Sequence, residues 1–153
     1  MGYVSDIVDP KTRSRMMANI KGKNTKPEMS IRSALHRMGY RFRLHRKDLP
    51  GNPDIVLPKH RAVVFVNGCF WHGHFCHLFR WPKTREAFWR EKILSNKNRD
   101  EKNVEKLLGN GWKVCIVWEC SIRKRPDNDV EEALTNLVTW IEGSTPFKEI
   151  PIQ

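Results

Sequence analysis

Apolar positions fall into short blocks whose spacing alternates between helical and extended. Ile31, Ala34, Leu35 and Met38 form one apolar stripe at helical spacing. Thr25 and Glu28 stand at capping-box spacing, Pro27 suits a first turn, and Gly39 is a natural stop, so a helix is predicted over Thr25 to Gly39. Tyr40, Phe42 and Leu44 then alternate with Arg41 and Arg43, the pattern of a half-buried strand with a basic outer face. Leu49-Pro50-Gly51-Asn52-Pro53 reads as a turn that delivers Asp54 to the head of a short strand ending at Leu57. Lys59 to Arg61 makes the next turn, and the β-branched run Ala62 to Val66 reads as a buried strand, so a hairpin is the economical arrangement.

Asn67 to Pro82 is irregular and dense in Cys, His and aromatic residues. Thr84 opens a second helix carrying Phe88, Trp89, Glu91 and Ile93, with a break expected near Ser95–Asn98 before Lys97 to Leu108 continues it. Gly109-Asn110-Gly111 ends that helix, Trp112 to Trp118 is a further buried strand, and Asp129 caps a last helix with Val130, Leu134, Leu137, Val138 and Ile141. The order α, β, β, β, α, β, α predicts an α/β fold, with a central mixed sheet flanked by helices.

The 153 residues suffice for one domain with a real core. Lys plus Arg is 28 against 17 Asp plus Glu, a net charge of +11, which favours a polyanionic partner. Nucleic acid leads, ahead of an anionic membrane surface. The 39% hydrophobic content, with 6 Trp and 7 Phe, excludes a disordered basic tail. The longest unbroken apolar run, Ala62 to Val66, is far too short to span a membrane. Met1 to Pro10 carries Asp6 and Asp9 and no apolar stretch, so no secretory signal is expected, and the four cysteines are expected to be free of disulfides. Residues 1–24 are expected to be a basic arm contacting DNA, and residues 25–153 a single domain.

The densest chemistry is Cys69-Phe70-Trp71-His72-Gly73-His74-Phe75-Cys76-His77. Zinc takes four tetrahedral N or S ligands, and a short loop supplies three of them. Cys69, Cys76 and one of His72, His74 or His77 fit. The fourth ligand must be distant. Cys120, just past a strand, is better placed than Cys115 inside it. Four protein ligands make a closed, structural site. Asp54 is the second signal: a Mg²⁺-dependent nuclease needs a carboxylate on a rigid element. The third is aromatic. Phe70, Trp71, Phe75, Phe79, Trp81 and Trp89 interleave with Arg80, Lys83, Arg85 and Arg90, as in proteins that wedge or stack against bases. Phe70 and Trp71, in a loop beside Gly68, suit a wedge best, while the phase of Trp89 suits the core equally well.

Four blocks together resemble a known family. They are Leu49-Pro50-Gly51-Asn52-Pro53-Asp54-Ile55-Val56, the run Phe65 to Cys76, Phe88-Trp89-Arg90-Glu91-Lys92-Ile93, and the run Trp112 to Cys120. With the opening Thr12-Arg13-Ser14-Arg15-Met16-Met17, they resemble the very short patch repair endonucleases from about Asp9 to Trp140. The resemblance implies a restriction-endonuclease-like core with structural zinc. It implies an enzyme that nicks one strand 5′ to the T of a T·G mismatch left by deamination of 5-methylcytosine. By the same resemblance Asp54 binds Mg²⁺, His72 is the general base, and Glu28 is an acidic residue of the active site. Cys69, His74, Cys76 and Cys120 are the zinc ligands, and Phe70, Trp71 and Trp89 intercalate beside the mismatch.

The family's best-known pattern has Thr-His where this chain has Val66-Asn67. The Val66 main-chain carbonyl still offers Mg²⁺ an oxygen, whereas Asn67 holds a water without acting as a base. A non-catalytic, zinc-stabilised binder of distorted or mismatched duplex is the alternative that this departure favours. A monomer is expected, in the bacterial cytoplasm at the nucleoid, with downstream repair proteins as the implied partners.

Overall fold

The β-branched run predicted as a buried strand lies at the centre of a five-stranded mixed sheet. The computed structural model describes residues 24–122 and 127–151. Its elements are α1 (Lys26–Arg37), β1 (Arg43–Leu44), β2 (Ile55–Leu57), β3 (Ala62–Asn67), α2 (Glu86–Gly109), β4 (Lys113–Trp118), α3 (Asp127–Glu142) and β5 (Phe147–Ile150). Single 3₁₀ turns at Pro58–His60 and Glu119–Ser121 follow β2 and β4. Strand order is β1-β2-β3-β4-β5. β2 and β3 pair antiparallel as the expected hairpin, with Val56 opposite Val63. β3 pairs parallel with β4, as β4 does with β5. Parallel neighbours need crossovers, which α2 and α3 provide.

Strand alternation sorts side chains onto two faces. Ile55, Leu57, Ala62, Val64, Cys115 and Val117 join Ile31 and Leu35 of α1 and Leu137 and Ile141 of α3 in the larger core. Val56, Val63 and Val114 meet Leu107 of α2 on the other face. Helices thus cover both faces of an α/β sheet, as the chain order predicts. No helix among the described residues is long and apolar enough to cross a membrane. The arm lies outside the described residues except for Asn24.

Several local expectations are corrected. α2 runs unbroken through Ser95–Asn98. That polar stretch marks a contact, since Asn96 Nδ2 donates to the Trp71 carbonyl at 3.0 Å and Lys97 Nζ to the Gly73 carbonyl at 3.4 Å. α2 also starts at Glu86 rather than Thr84, after Arg85 in the left-handed region. The strand expected from Tyr40 to Leu44 shrinks to the exposed pair Arg43–Leu44, although Tyr40 and Phe42 do pack on the larger core. α1 stops at Arg37, leaving Met38 as a 53% exposed cap instead of part of the stripe. α3 begins at Asp127 rather than Asp129. β5 was not expected, because Lys148 and Glu149 interrupt its apolar pattern and only Ile150 is fully buried.

Candidate active site

Asp54 stands at the mouth of the β2–β3 hairpin. The turn before it needs left-handed backbone at Gly51 (φ 79°) and Asn52 (φ 49°), residue types that accept it. A Cβ on Gly51 would stand 3.1 Å from the Phe65 ring and 3.2 Å from Asn103, so the turn presses against β3 and α2. Asp54 Oδ2 accepts from the Val66 amide at 2.8 Å, which ties the carboxylate to the end of β3. Burial raises the Asp54 pKa to about 6. The Val66 hydrogen bond opposes the rise, nearby Glu28 adds to it, and His45 and His72 counteract it.

Glu28 projects from the first turn of α1 and is almost fully buried. The Glu28 amide donates to Thr25 Oγ1 at 3.3 Å, as the capping-box spacing predicts. Its Oε1 accepts from the Asn24 amide at 2.8 Å, and Arg32 Nη1 donates to Oε2 at 3.0 Å. Oε2 also lies 2.7 Å from His45 Nε2. His45 has left-handed backbone (φ 48°), and its amide donates to the Asp54 carbonyl at 3.1 Å. His45 Nε2 stands 3.9 Å from Asp54 Oδ1. Glu28, His45 and Asp54 therefore converge, each offering one donor atom within 4.8 Å of the others.

A cleft of about 250 Å³ opens beside Asp54, lined also by Val66, Asn67, His72 and Asp100. His72 comes from the loop after β3 and Asp100 from the middle of α2, yet Nδ1 and Oδ2 lie 2.5 Å apart. Glu28 and His45 are not among the residues that line the cleft, and both reach it through Asp54, which the cleft and the trio share.

The loop after β3 also carries the Cys/His cluster. Cys69, His74, Cys76 and Cys120 bring their donor atoms within 4.8 Å of one another. Cys120 arrives on the 3₁₀ turn after β4, and its Sγ lies 3.7 Å from His74 Nδ1. The His74 ring stacks on Trp118 at 4.2 Å and 8°. Cys115 packs in the larger core instead, where burial pushes its thiol up to about 12. None of the four cysteines is in a disulfide. Gly73 (φ 68°) lets the loop close on α2, since a Cβ there would sit 2.6 Å from Lys97 Cδ.

Phe70, Trp71 and Trp89 form a half-buried triangle, with ring centroids 5.2, 5.5 and 5.7 Å apart. Phe79 extends it toward Trp81 and the 62% exposed Phe75, and Arg90 lies 4.3 Å over Trp81. Trp89 thus faces the loop aromatics rather than the core clusters.

Sequence reasoning missed His45 and Asp100. His45 sits among Arg43, Arg46 and Lys47 and reads as part of a basic stretch. Asp100 sits in a charged helical run, where it reads as a solvated face.

Residues 5–78 match the family model described as DNA mismatch endonuclease Vsr. The chain is 42% identical over 151 residues to the DNA mismatch endonuclease Vsr of Escherichia coli K12, covering 98% of this chain and 96% of that one. It is 50% identical over 119 residues to the type II nicking enzyme V.XorIIP of Xanthomonas oryzae, covering 78% and 88%. It is 44% identical over 141 residues to V.NmeAIP, a type II nicking enzyme of Neisseria meningitidis, covering 92% and 99%. Similarity that spans nearly the whole chain places this protein in the Vsr family of DNA mismatch endonucleases.

Proposed function

We propose that this protein nicks one DNA strand 5′ to the T of a T·G mismatch, with Mg²⁺ at Asp54 and His72 as the general base. The observation that carries the reading is that Asp54 and His72 line one cleft, the first held by the Val66 amide and the second by Asp100. The donor sets suit the two cations. Carboxylate and main-chain oxygens at Asp54 and Val66 suit a hard ion, and the three sulfurs and one nitrogen of Cys69, Cys76, Cys120 and His74 suit zinc. Mg²⁺ bound at Asp54 would polarise the scissile phosphate and offset its developing charge.

The chain's own residues do the rest. Asp100 accepts from Nδ1–H of His72, which leaves Nε2 free to take a proton from the attacking water. Asn67 lines the cleft and holds water by hydrogen bonding. Glu28 is linked to Asp54 through His45. Zinc in a closed site would fix the loop that bears both His72 and the wedge, so chemistry and recognition share one rigid element.

Phe70, Trp71 and Trp89 enter the duplex at the mismatch, where unstacking costs less than at a paired step. The +11 charge supplies affinity for phosphates without regard to sequence, and the basic arm of residues 1–24 adds contacts to the DNA. The mixed sheet with helices on both faces supports reading the core as restriction-endonuclease-like. The test is a duplex with both strands end-labelled and a single T·G pair, beside its T·A counterpart, in several flanking sequences. A single nick 5′ to the T supports the reading. Equal cleavage of the paired duplex contradicts it.

A further inference from the structure

We infer that His45 is a nitrogen ligand of the catalytic cation, so that the site holds Mn²⁺ or a later first-row divalent ion more tightly than Mg²⁺. The inference rests on Asp54 being the cation's anchor, as proposed above, and adds a residue and a metal preference to it.

Three observations converge on His45. Its Nε2 is 2.7 Å from Glu28 Oε2 and 3.9 Å from Asp54 Oδ1, and all three donors lie within 4.8 Å of one another. Donors on one octahedral ion with bonds of about 2.1 Å stand about 3 Å apart on neighbouring vertices and about 4.2 Å apart on opposite ones. The observed spacings fall close to that range, so small side-chain shifts suffice to share one ion. The backbone adds a second argument. His45 is held at φ 48°, in the left-handed region, and its amide is bound to the Asp54 carbonyl at 3.1 Å. The main chain thus fixes the imidazole beside the carboxylate, at a residue whose conformation carries a cost that the surroundings must offset. The third argument is charge. The trio holds two carboxylates in a largely buried space, Arg32 pairs with Glu28 alone, and a divalent ion would supply the positive charge that Asp54 lacks.

The metal preference follows from the donor set. Mg²⁺ favours oxygen ligands and gives up water reluctantly. An imidazole nitrogen gains affinity along the series from Mn²⁺ towards Cu²⁺. A site with Glu28 and Asp54 oxygens and His45 nitrogen is therefore biased away from Mg²⁺.

Full-length protein with its cysteine site filled by zinc would be loaded with Mn²⁺ and studied by pulsed EPR, which detects a coordinated ¹⁴N directly. The wild type, His45→Gln, His72→Ala and Asp54→Asn would be compared, with circular dichroism to verify folding. Directly bound ¹⁴N is expected in the wild type and in His72→Ala, and is expected to vanish in His45→Gln. Titration should show Mn²⁺ affinity falling roughly 10-fold or more in His45→Gln, with Mg²⁺ affinity changing much less. Absence of the ¹⁴N signal from wild type carrying Mn²⁺ would overturn the inference even if a variant failed to fold. So would its persistence in His45→Gln. If Asp54→Asn abolishes Mn²⁺ binding while His45→Gln keeps the wild-type spectrum, only the ligand role of His45 falls. If Asp54→Asn binds Mn²⁺ as the wild type does, the anchor itself is misplaced and the inference falls with it.

Discussion

His72 Nδ1 and Asp100 Oδ2 lie 2.5 Å apart, joining the loop after β3 to the middle of α2 across 28 residues of sequence. The contact engages Nδ1 and leaves Nε2 as the other ring nitrogen of a residue that lines the cleft. If His72 is the base, His72→Ala should lower the single-turnover nicking rate by about 100- to 10,000-fold. Asp100→Asn should lower it by about 10- to 100-fold, the loss typical of a missing orienting partner. Affinity for mismatched duplex should hardly change in Asp100→Asn. Quench-flow rates set beside equilibrium binding separate the two quantities, and a parallel loss of both would assign Asp100 to folding instead.

The four Cys/His donors predict one tightly bound Zn²⁺ per chain. Cys69→Ala or Cys76→Ala should lose the metal and fail to fold, because metal binding and folding are linked when ligands come from separate segments. Cys115→Ala is the control. It removes one sulfur from the larger core and should keep the zinc, at a cost of roughly 1 to 2 kcal/mol in stability. Elemental analysis of each purified variant, followed by thermal unfolding, checks both statements.

Burial raises Asp54 to about 6, above its ordinary carboxylate value, so folding favours its protonated form. The sign follows from linkage: the ionised carboxylate lowers stability above pH 6, and that penalty fades as pH falls from 6 towards 4. Asp54→Asn should therefore be more stable than wild type at pH 7.5 with zinc bound and no other divalent cation, by on the order of 1 to 2 kcal/mol. The advantage should disappear near pH 4. Denaturant unfolding of both proteins across that range reads it out, and an unchanged difference at every pH would refute the assignment to Asp54.

Much of this architecture is legible along the chain because it rests on periodicity and punctuation. The run Ala62–Val66, the turn before Asp54 and the α1 cap each follow from local rules, and each positions Asp54 or Glu28. Features made by distant partners are not legible in the same way. Ser95–Asn98 looks like a helix break because its polarity serves the loop carbonyls of Trp71 and Gly73, which spacing does not reveal. Asp100 and His45 carry no local signature either, since their meaning lies in contacts with His72 and with Glu28 and Asp54. β5 is hidden because its ladder to β4 depends on backbone pairing, with Lys148 and Glu149 breaking the apolar pattern.

The triangle of Phe70, Trp71 and Trp89 predicts a loss of selectivity when it is trimmed. Phe70→Ala or Trp71→Ala should weaken binding to T·G duplex by roughly 1 to 3 kcal/mol, the range for one lost stacking contact. Binding to fully paired duplex should fall much less. Competition binding with the two duplexes at one fixed salt concentration tests this, and equal losses on both would remove the wedge role.

On the proposed reading a cation on Asp54 and a base at His72 act on DNA in one cleft. The most direct test of that reading is the nicking of a labelled T·G duplex by wild type with and without Mg²⁺, beside Asp54→Ala with Mg²⁺. A nick 5′ to the T is expected only where both Mg²⁺ and Asp54 are present, with mismatch binding retained by the variant. A nick of undiminished rate from Asp54→Ala, or no nick by wild type in any flanking sequence despite firm binding, would contradict it.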